Sequence, residues 1–355
     1  MFRIEILPAK HGDAILVEYG KGRKHARILI DGGPTNAAKA FKSRLCSLPS
    51  VAREFELLVI THVDADHIEG IVRLLRSKDV TPKIREIWFN GWKHLSDKLG
   101  PVQGEYLTAQ IETQKIPWNT LFNGRAVVVP DTGKLQSVTL PGGMQLTILS
   151  PNTDKLAKLR KEWKKVVEEA RLVPGVSKKA LAKLEKAKGL GPLDRLGDWV
   201  AKYADARLTS DGTEANGSSI AFLAGYDGVS CLFLGDAHPD VIEDSLKRLI
   251  EERHETRLRV DAVKLSHHGS KNNLNTNILK LIRCTRYIVS TNGDKFGHPD
   301  IEAIARVIKY GGSSAEIYFN YANTKKSFGS ATDMKHYGYK AEYPKIGAEG
   351  IVIEL

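Results

Sequence analysis

Four side chains able to hold a metal ion fall within six residues of this 355-residue chain, in the stretch Thr61-His62-Val63-Asp64-Ala65-Asp66-His67. Imidazole nitrogen and carboxylate oxygen are donors that divalent zinc and manganese accept. His62, Asp64 and Asp66 alternate, so an extended segment turns them to one side, while His67, next to Asp66, must point elsewhere. One loop with this spacing can serve two neighbouring ions. The apolar run 57–60 before it has the pattern of a strand covered on both faces, and 68–76 after it has helical periodicity. The end of a buried strand is where α/β folds place chemistry. The competing use of the two aspartates is to cap the helix.

The elements that must position this loop read as a mixture of strands and helices. Strands are expected at residues 2–6, 14–19 and 26–30, the last ending in Asp31-Gly32-Gly33. A helix over 37–45, a strand over 84–89 and a helix over 105–115 follow, then strands at 127–129 and 145–149. Beyond residue 215 the pattern gives strands at 219–223, 230–234, 260–265 and 287–290, helices at 242–251 and 301–310, and closing strands at 317–319 and 351–354. Polar clusters again fall at strand ends: Asp236 after Leu234-Gly235, His267 and His268 after Ser266, and His298 before Pro299.

Between these blocks the composition shifts. Residues 155–188 carry twelve Lys or Arg against four Glu, a surplus of eight within a chain whose formal net charge is +11. Such an excess suits a polyanion, and Lys161, Lys164, Lys165, Lys178 and Lys179 are candidate nucleic-acid contacts. The apolar set Leu156, Leu159, Trp163, Val166 and Val167 has helical spacing, so the same segment could instead dock a protein partner. We expect one domain over 1–355 with 152–215 as an inserted helical segment. Three scattered cysteines give no disulfide framework or cysteine zinc motif and fit a reducing compartment. No apolar run reaches the length of a membrane span, so the expectation is a cytoplasmic chain without one.

His-x-Asp-x-Asp-His resembles a variant of the His-x-His-x-Asp-His signature of the metallo-β-lactamase superfamily. With Asp in second place it is similar to the metallo-hydrolase domain of the DNA-uptake protein ComEC and its soluble relatives. Gly12-Asp13-Ala14, Asp31-Gly32-Gly33, Leu149-Ser150-Pro151, Asn216, Gly235-Asp236, Ser266-His267-His268-Gly269-Ser270 and Gly297-His298-Pro299 extend the likeness in order. The resemblance implies an αββα sandwich and two divalent metal ions, Zn²⁺ or Mn²⁺. It gives His62 and Asp64 to the first ion, Asp66 and His67 to the second, and Asp236 as the bridge. The last ligand of the second ion is His267, with His268 as the alternative. Asp31 would orient a ligand histidine, with Asn216 a further supporting residue. Ser150 stands where the superfamily usually supplies a third histidine to the first ion, which leans the site towards manganese.

Two such ions acidify a water and clamp phosphoryl oxygens during an in-line displacement. The expected activity is a phosphodiesterase or nuclease on single-stranded DNA or other nucleic acid. Asp66 would act at the centre, and His268 or His298 would protonate the leaving group or bind phosphate. A small-molecule esterase, lactonase or phosphoesterase is the first alternative. A metal-stabilised, non-catalytic component of a multi-protein defence or stress system is the second.

Overall fold

The computed structural model describes residues 1–22, 24–95, 102–169 and 211–355. Strands β1 (Phe2–Ile6), β2 (Ile15–Lys21) and β3 (Lys24–Ile30) form an antiparallel meander. Helix α1 (Ala38–Ser47) leads to β4 (Leu57–Val59), α2 (Ala65–Arg76), β5 (Ile87–Trp88) and α3 (Val102–Gln114). Then come β6 (Ser137–Thr139), β7 (Gln145–Ser150) and α4 (Thr153–Glu169). The second half runs β8 (Ala221–Tyr226), β9 (Val229–Phe233), α5 (Pro239–Glu252), β10 (Ala262–Lys264), α6 (Thr276–Leu281) and β11 (Arg286–Val289). It ends with α7 (Ile301–Tyr310), β12 (Glu316–Phe319), β13 (Lys340–Glu342) and β14 (Ile351–Glu354).

The strands make a six-stranded sheet in the order β14-β1-β2-β3-β4-β5 and an eight-stranded sheet in the order β13-β12-β11-β10-β9-β8-β7-β6. Alternation along the strands dictates how they stack, because successive side chains leave opposite faces. Ile15, Val17 and Tyr19 of β2, Ile28 and Ile30 of β3, and Leu57 and Val59 of β4 share one buried cluster with Leu146, Ile148, Phe222 and Phe233 of the other sheet. The residues between them, Leu16, Leu29 and Leu58, face a second cluster with Phe41 of α1, Ile68 and Ile71 of α2, Leu107 of α3, and Leu159 and Trp163 of α4. Ring contacts bridge the two sheets, with centroids 6.3 Å apart for Trp88–Phe222 and 5.4 Å for Tyr19–Tyr226. Helices α5 to α7 bury Ile242, Leu246, Ile278 and Ile304 beyond the second sheet. The result is the αββα sandwich that the sequence suggested.

Local differences have physical causes. Residues 127–129, with Val127 and Val129 buried, form no strand, because the Asn90 side chain takes both polar groups of the Val127 backbone: its Oδ1 accepts from Val127 N at 2.8 Å and its Nδ2 donates to Val127 O at 2.8 Å. Of residues 84–89 only Ile87–Trp88 joins the first sheet, while Lys83–Ile84 pairs with Glu54–Phe55. Leu156, Leu159, Trp163 and Val167 of α4 pack on the helix-covered face of the sandwich, and the Trp163 ring closes against Gly104, where a Cβ would stand 2.8 Å from it. Lys161 and Lys164 lie on the exposed side of α4. Lys178, Lys179 and the side chain of Lys165 lie outside the described residues. No helix among the described residues is long and apolar enough to cross a membrane.

Candidate metal centre

Four strand ends converge at one edge of the sandwich: β3 delivers Asp31, β4 the loop with His62, Asp64, Asp66 and His67, β9 delivers Asp236, and β10 delivers His267 and His268. A close approach of backbones holds the first two together. Gly32 N donates to His67 O at 2.8 Å and Gly70 N to Gly33 O at 2.9 Å. A Cβ on Gly70 would sit 1.8 Å from Gly32 O, so helix α2 can lie this near the end of β3 only with glycine there. Asp64 occupies the N-cap position of α2, yet its side chain makes no capping bond. Its carboxylate is partly exposed and stands 3.7 Å from His62 Nε2.

Each histidine is fixed at Nδ1. His67 Nδ1 stands 2.8 Å from Asp31 Oδ2, the orienting contact expected of Asp31. Asp31 in turn accepts from Thr61 N at 2.8 Å and from Thr61 Oγ1 at 2.7 Å. Since that hydroxyl proton goes to Asp31, Thr61 Oγ1 is left to accept from His62 Nδ1 at 3.0 Å. His268 Nδ1 donates to Ser290 O at 2.8 Å. The opposite nitrogens all face one carboxylate. Measured to Asp236 Oδ2, Nε2 is 4.0 Å away for His62, 3.4 Å for His67, 3.8 Å for His267 and 3.8 Å for His268.

The choice between the two adjacent histidines is a matter of placement. His268 Nε2 stands 3.8 Å from Asp66 Oδ2, and Asp66, His67 and His268 form one cluster of convergent donors, so His268 rather than His267 joins that pair. His62, His67 and Asp236 form another. His267 lies beside them with its Nδ1 on Asp211 Oδ2 at 3.1 Å and Asn273 Oδ1 at 3.0 Å. Asn216 supports the same group, donating to Asp211 Oδ2 at 2.6 Å. His298 stacks edge-on against His267, with centroids 5.3 Å apart, and its Nδ1 is 3.6 Å from Asp300 Oδ2.

The residues fit a cation. His62 Nε2, His67 Nε2, His268 Nε2 and Asp236 Oδ1 are buried without a hydrogen-bond partner among the described residues. Buried polar atoms are ordinarily paired, so four aimed at one point call for an electrophile there. Electrostatics agree. Burial alone would lower the His67 imidazole, but Asp236 and Asp31 outweigh it and hold it well above its usual range. Burial would also lower His267, yet Asp236 and Asp211 carry it up to about 9. Asp236 is pulled well below the carboxylate range against the effect of burial, by the charges of His67, His267 and His268. In His298 burial prevails, so its imidazole titrates below its usual value.

The αββα layers, with a His/Asp loop after the buried parallel strand β4 and a carboxylate after β9, settle the architecture. This is the layered arrangement that the resemblance to the metallo-β-lactamase superfamily implied. No family model matches this sequence, and no curated protein does. Similar solved structures include the metallo-β-lactamase fold protein YhfI from Bacillus subtilis, at 12% identity over 100% of both chains with a TM-score of 0.44. Another is CmlA, a diiron β-hydroxylase from Streptomyces venezuelae, at 13% identity and a TM-score of 0.40, covering 99% of this chain and 54% of that one.

Four residues around the centre escaped sequence reasoning. Asp13, which the likeness named without a role, is buried with its Oδ2 2.5 Å from Lys264 Nζ and its Oδ1 3.5 Å from His268 Nδ1. Burial would raise its carboxyl, but the Lys264 ammonium holds it far below the usual range. Thr61 was legible as the residue next to a ligand motif, and Lys264 as a charge inside an apolar strand. Asp211 carried no signal, since the histidine it touches lies 56 residues away.

Proposed function

We propose that this chain is a metal-dependent phosphodiesterase acting on single-stranded DNA or other nucleic acid. The observation that carries the reading is the convergence of unpartnered imidazole nitrogens on the buried Asp236 carboxylate. His62, Asp64 and Asp236 would hold one divalent ion, and Asp66, His67, His268 and Asp236 a second, with Zn²⁺ or Mn²⁺ suited to this donor set. Bound there, the ions would acidify a water and stabilise charge on phosphoryl oxygens. The chain's own groups do the rest. Asp31, Thr61 and the Ser290 carbonyl keep the Nδ1 protons on the outside, so that each Nε2 lone pair faces inward. His298, edge-on to His267, would meet a phosphoryl oxygen or the leaving group, and it lines an adjoining cavity of about 800 Å³ with Lys271, Asn292 and Asp300.

The nucleic-acid half of the reading rests on charge: a formal net charge of +11 and the lysine surplus of residues 155–188. The same cavity gives the alternative, a small-molecule phosphoester, ester or lactone as substrate. The discriminating experiment strips the protein of metal, restores Mn²⁺ or Zn²⁺, and compares bis(p-nitrophenyl) phosphate, a carboxylic ester and a γ-lactone. Phosphodiester hydrolysis that disappears in Asp66→Ala, with the other two inert, is the expected result. Turnover of the ester or lactone alone would replace the phosphodiesterase with the alternative.

A further inference from the structure

The first ion, with His62, Asp64 and Asp236, has only one imidazole, because Ser150 stands where a further histidine would be expected. In the same assignment the second ion has two, His67 and His268, which cluster with Asp66. One histidine is left over. We propose that His267 is the missing ligand of the first ion, and that Asp211 holds it in place. This rests on the metal-centre reading.

Three observations carry it. The first is reach: His267 Nε2 lies 3.8 Å from Asp236 Oδ2, between the values of 3.4 Å for His67 and 4.0 Å for His62. Two donors on one tetrahedral ion, each about 2 Å from it, stand roughly 3.5 Å apart, so His267 is as near the shared carboxylate as the other three imidazoles are. The second is support. A metal-bound histidine has its other ring nitrogen tied to a carboxylate or carbonyl. His67 has Asp31, His268 has Ser290 O, and His267 has Asp211 at 3.1 Å. Asp211 is itself locked: its Oδ2 also accepts from Asn216 Nδ2 at 2.6 Å and Asn273 Nδ2 at 2.9 Å, and its Oδ1 accepts from Thr213 N at 3.0 Å. Asn273 Nδ2 also reaches Asp236 O at 3.2 Å, which joins the bracket to the bridging residue.

The third is backbone. His267 and His268 both adopt the left-handed region, with φ of 46° and 57°. Consecutive residues with Cβ atoms take that conformation at a cost, and such strain persists where the surroundings fix it for use. Here it brings two successive imidazoles, with ring planes 75° apart, to the same carboxylate oxygen. In an ordinary extended run successive side chains diverge.

The test is metal binding, read without any substrate. Equilibrium dialysis against Mn²⁺ or Zn²⁺, with bound metal counted by mass spectrometry, should give about two equivalents for the native chain. His267→Ala should keep one tight ion and lose the other. Asp211→Asn should still bind both, with the weaker one loosened roughly 10–100-fold and the tighter one unchanged. Circular dichroism checks the fold, and should His267→Ala misfold, the milder Asp211→Asn decides. Two ions bound at native affinity in His267→Ala, or native affinities throughout in folded Asp211→Asn, would overturn the assignment and leave His267 as a group facing substrate. A native chain that binds no metal would instead overturn the metal-centre reading itself.

Discussion

Each imidazole of the centre is held at one nitrogen and offered at the other. This division of labour makes the contacts behind the histidines as testable as the histidines. Asp31 is the clearest case, because it accepts from both Thr61 groups and orients His67, all in full burial. Asp31→Asn keeps the shape but can present an amide N–H to His67 Nδ1, favouring the wrong tautomer. We expect a fall of roughly 10–100-fold in metal affinity, measured by competition with a chromophoric chelator, with little change in far-ultraviolet dichroism. The candidate donors were largely legible because their chemistry is compressed into one loop: the spacing of His62, Asp64, Asp66 and His67 marks them as possible metal donors. Which of His267 and His268 accompanies them was not legible, since two adjacent left-handed residues break the alternation on which strand phase depends.

At the scale of elements, the sandwich is held at the edge that carries the candidate metal centre by a buried ion pair as well as by apolar packing. Lys264 lies in β10 of the second sheet, and Asp13 in the loop that enters β2 of the first; both are about 1% exposed. Breaking such a pair leaves a charge without compensation, whereas replacing both partners need not. Lys264→Met should therefore cost about 3–5 kcal/mol in urea unfolding. The double change Lys264→Met with Asp13→Leu should recover much of it; equal losses in both would contradict the pairing. Periodicity exposed nearly every long element, including the alternating faces of β2 to β4 and the buried stripe of α4. It failed at residues 127–129, where a side-chain amide replaces a neighbouring strand. It also failed for β6 and β13, three-residue strands with exposed ends, too short for alternation to stand out from a loop.

The whole molecule combines a buried centre of histidines and carboxylates with a formal net charge of +11. On the proposed function, such a surplus would attract an anionic substrate at long range, and its signature would be sensitivity to salt. Reversing four charges at once, Lys161→Glu, Lys164→Glu, Lys178→Glu and Lys179→Glu, should weaken binding of a single-stranded oligonucleotide. It should also flatten the slope of log affinity against log salt by about 0.7 for each phosphate no longer neutralised. Turnover of bis(p-nitrophenyl) phosphate should hardly change, because that substrate is too small to span the segment. Unchanged oligonucleotide binding would assign the basic segment to a protein partner. Cleavage of end-labelled single-stranded DNA is the most direct test of Asp236 as the anchor of a metal-dependent phosphodiesterase. Metal-stripped protein should be silent and recover with Mn²⁺ or Zn²⁺, while Asp236→Ala should stay at least roughly a thousandfold slower at saturating metal. Cleavage by metal-free protein, or by Asp236→Ala at the native rate, would contradict the account.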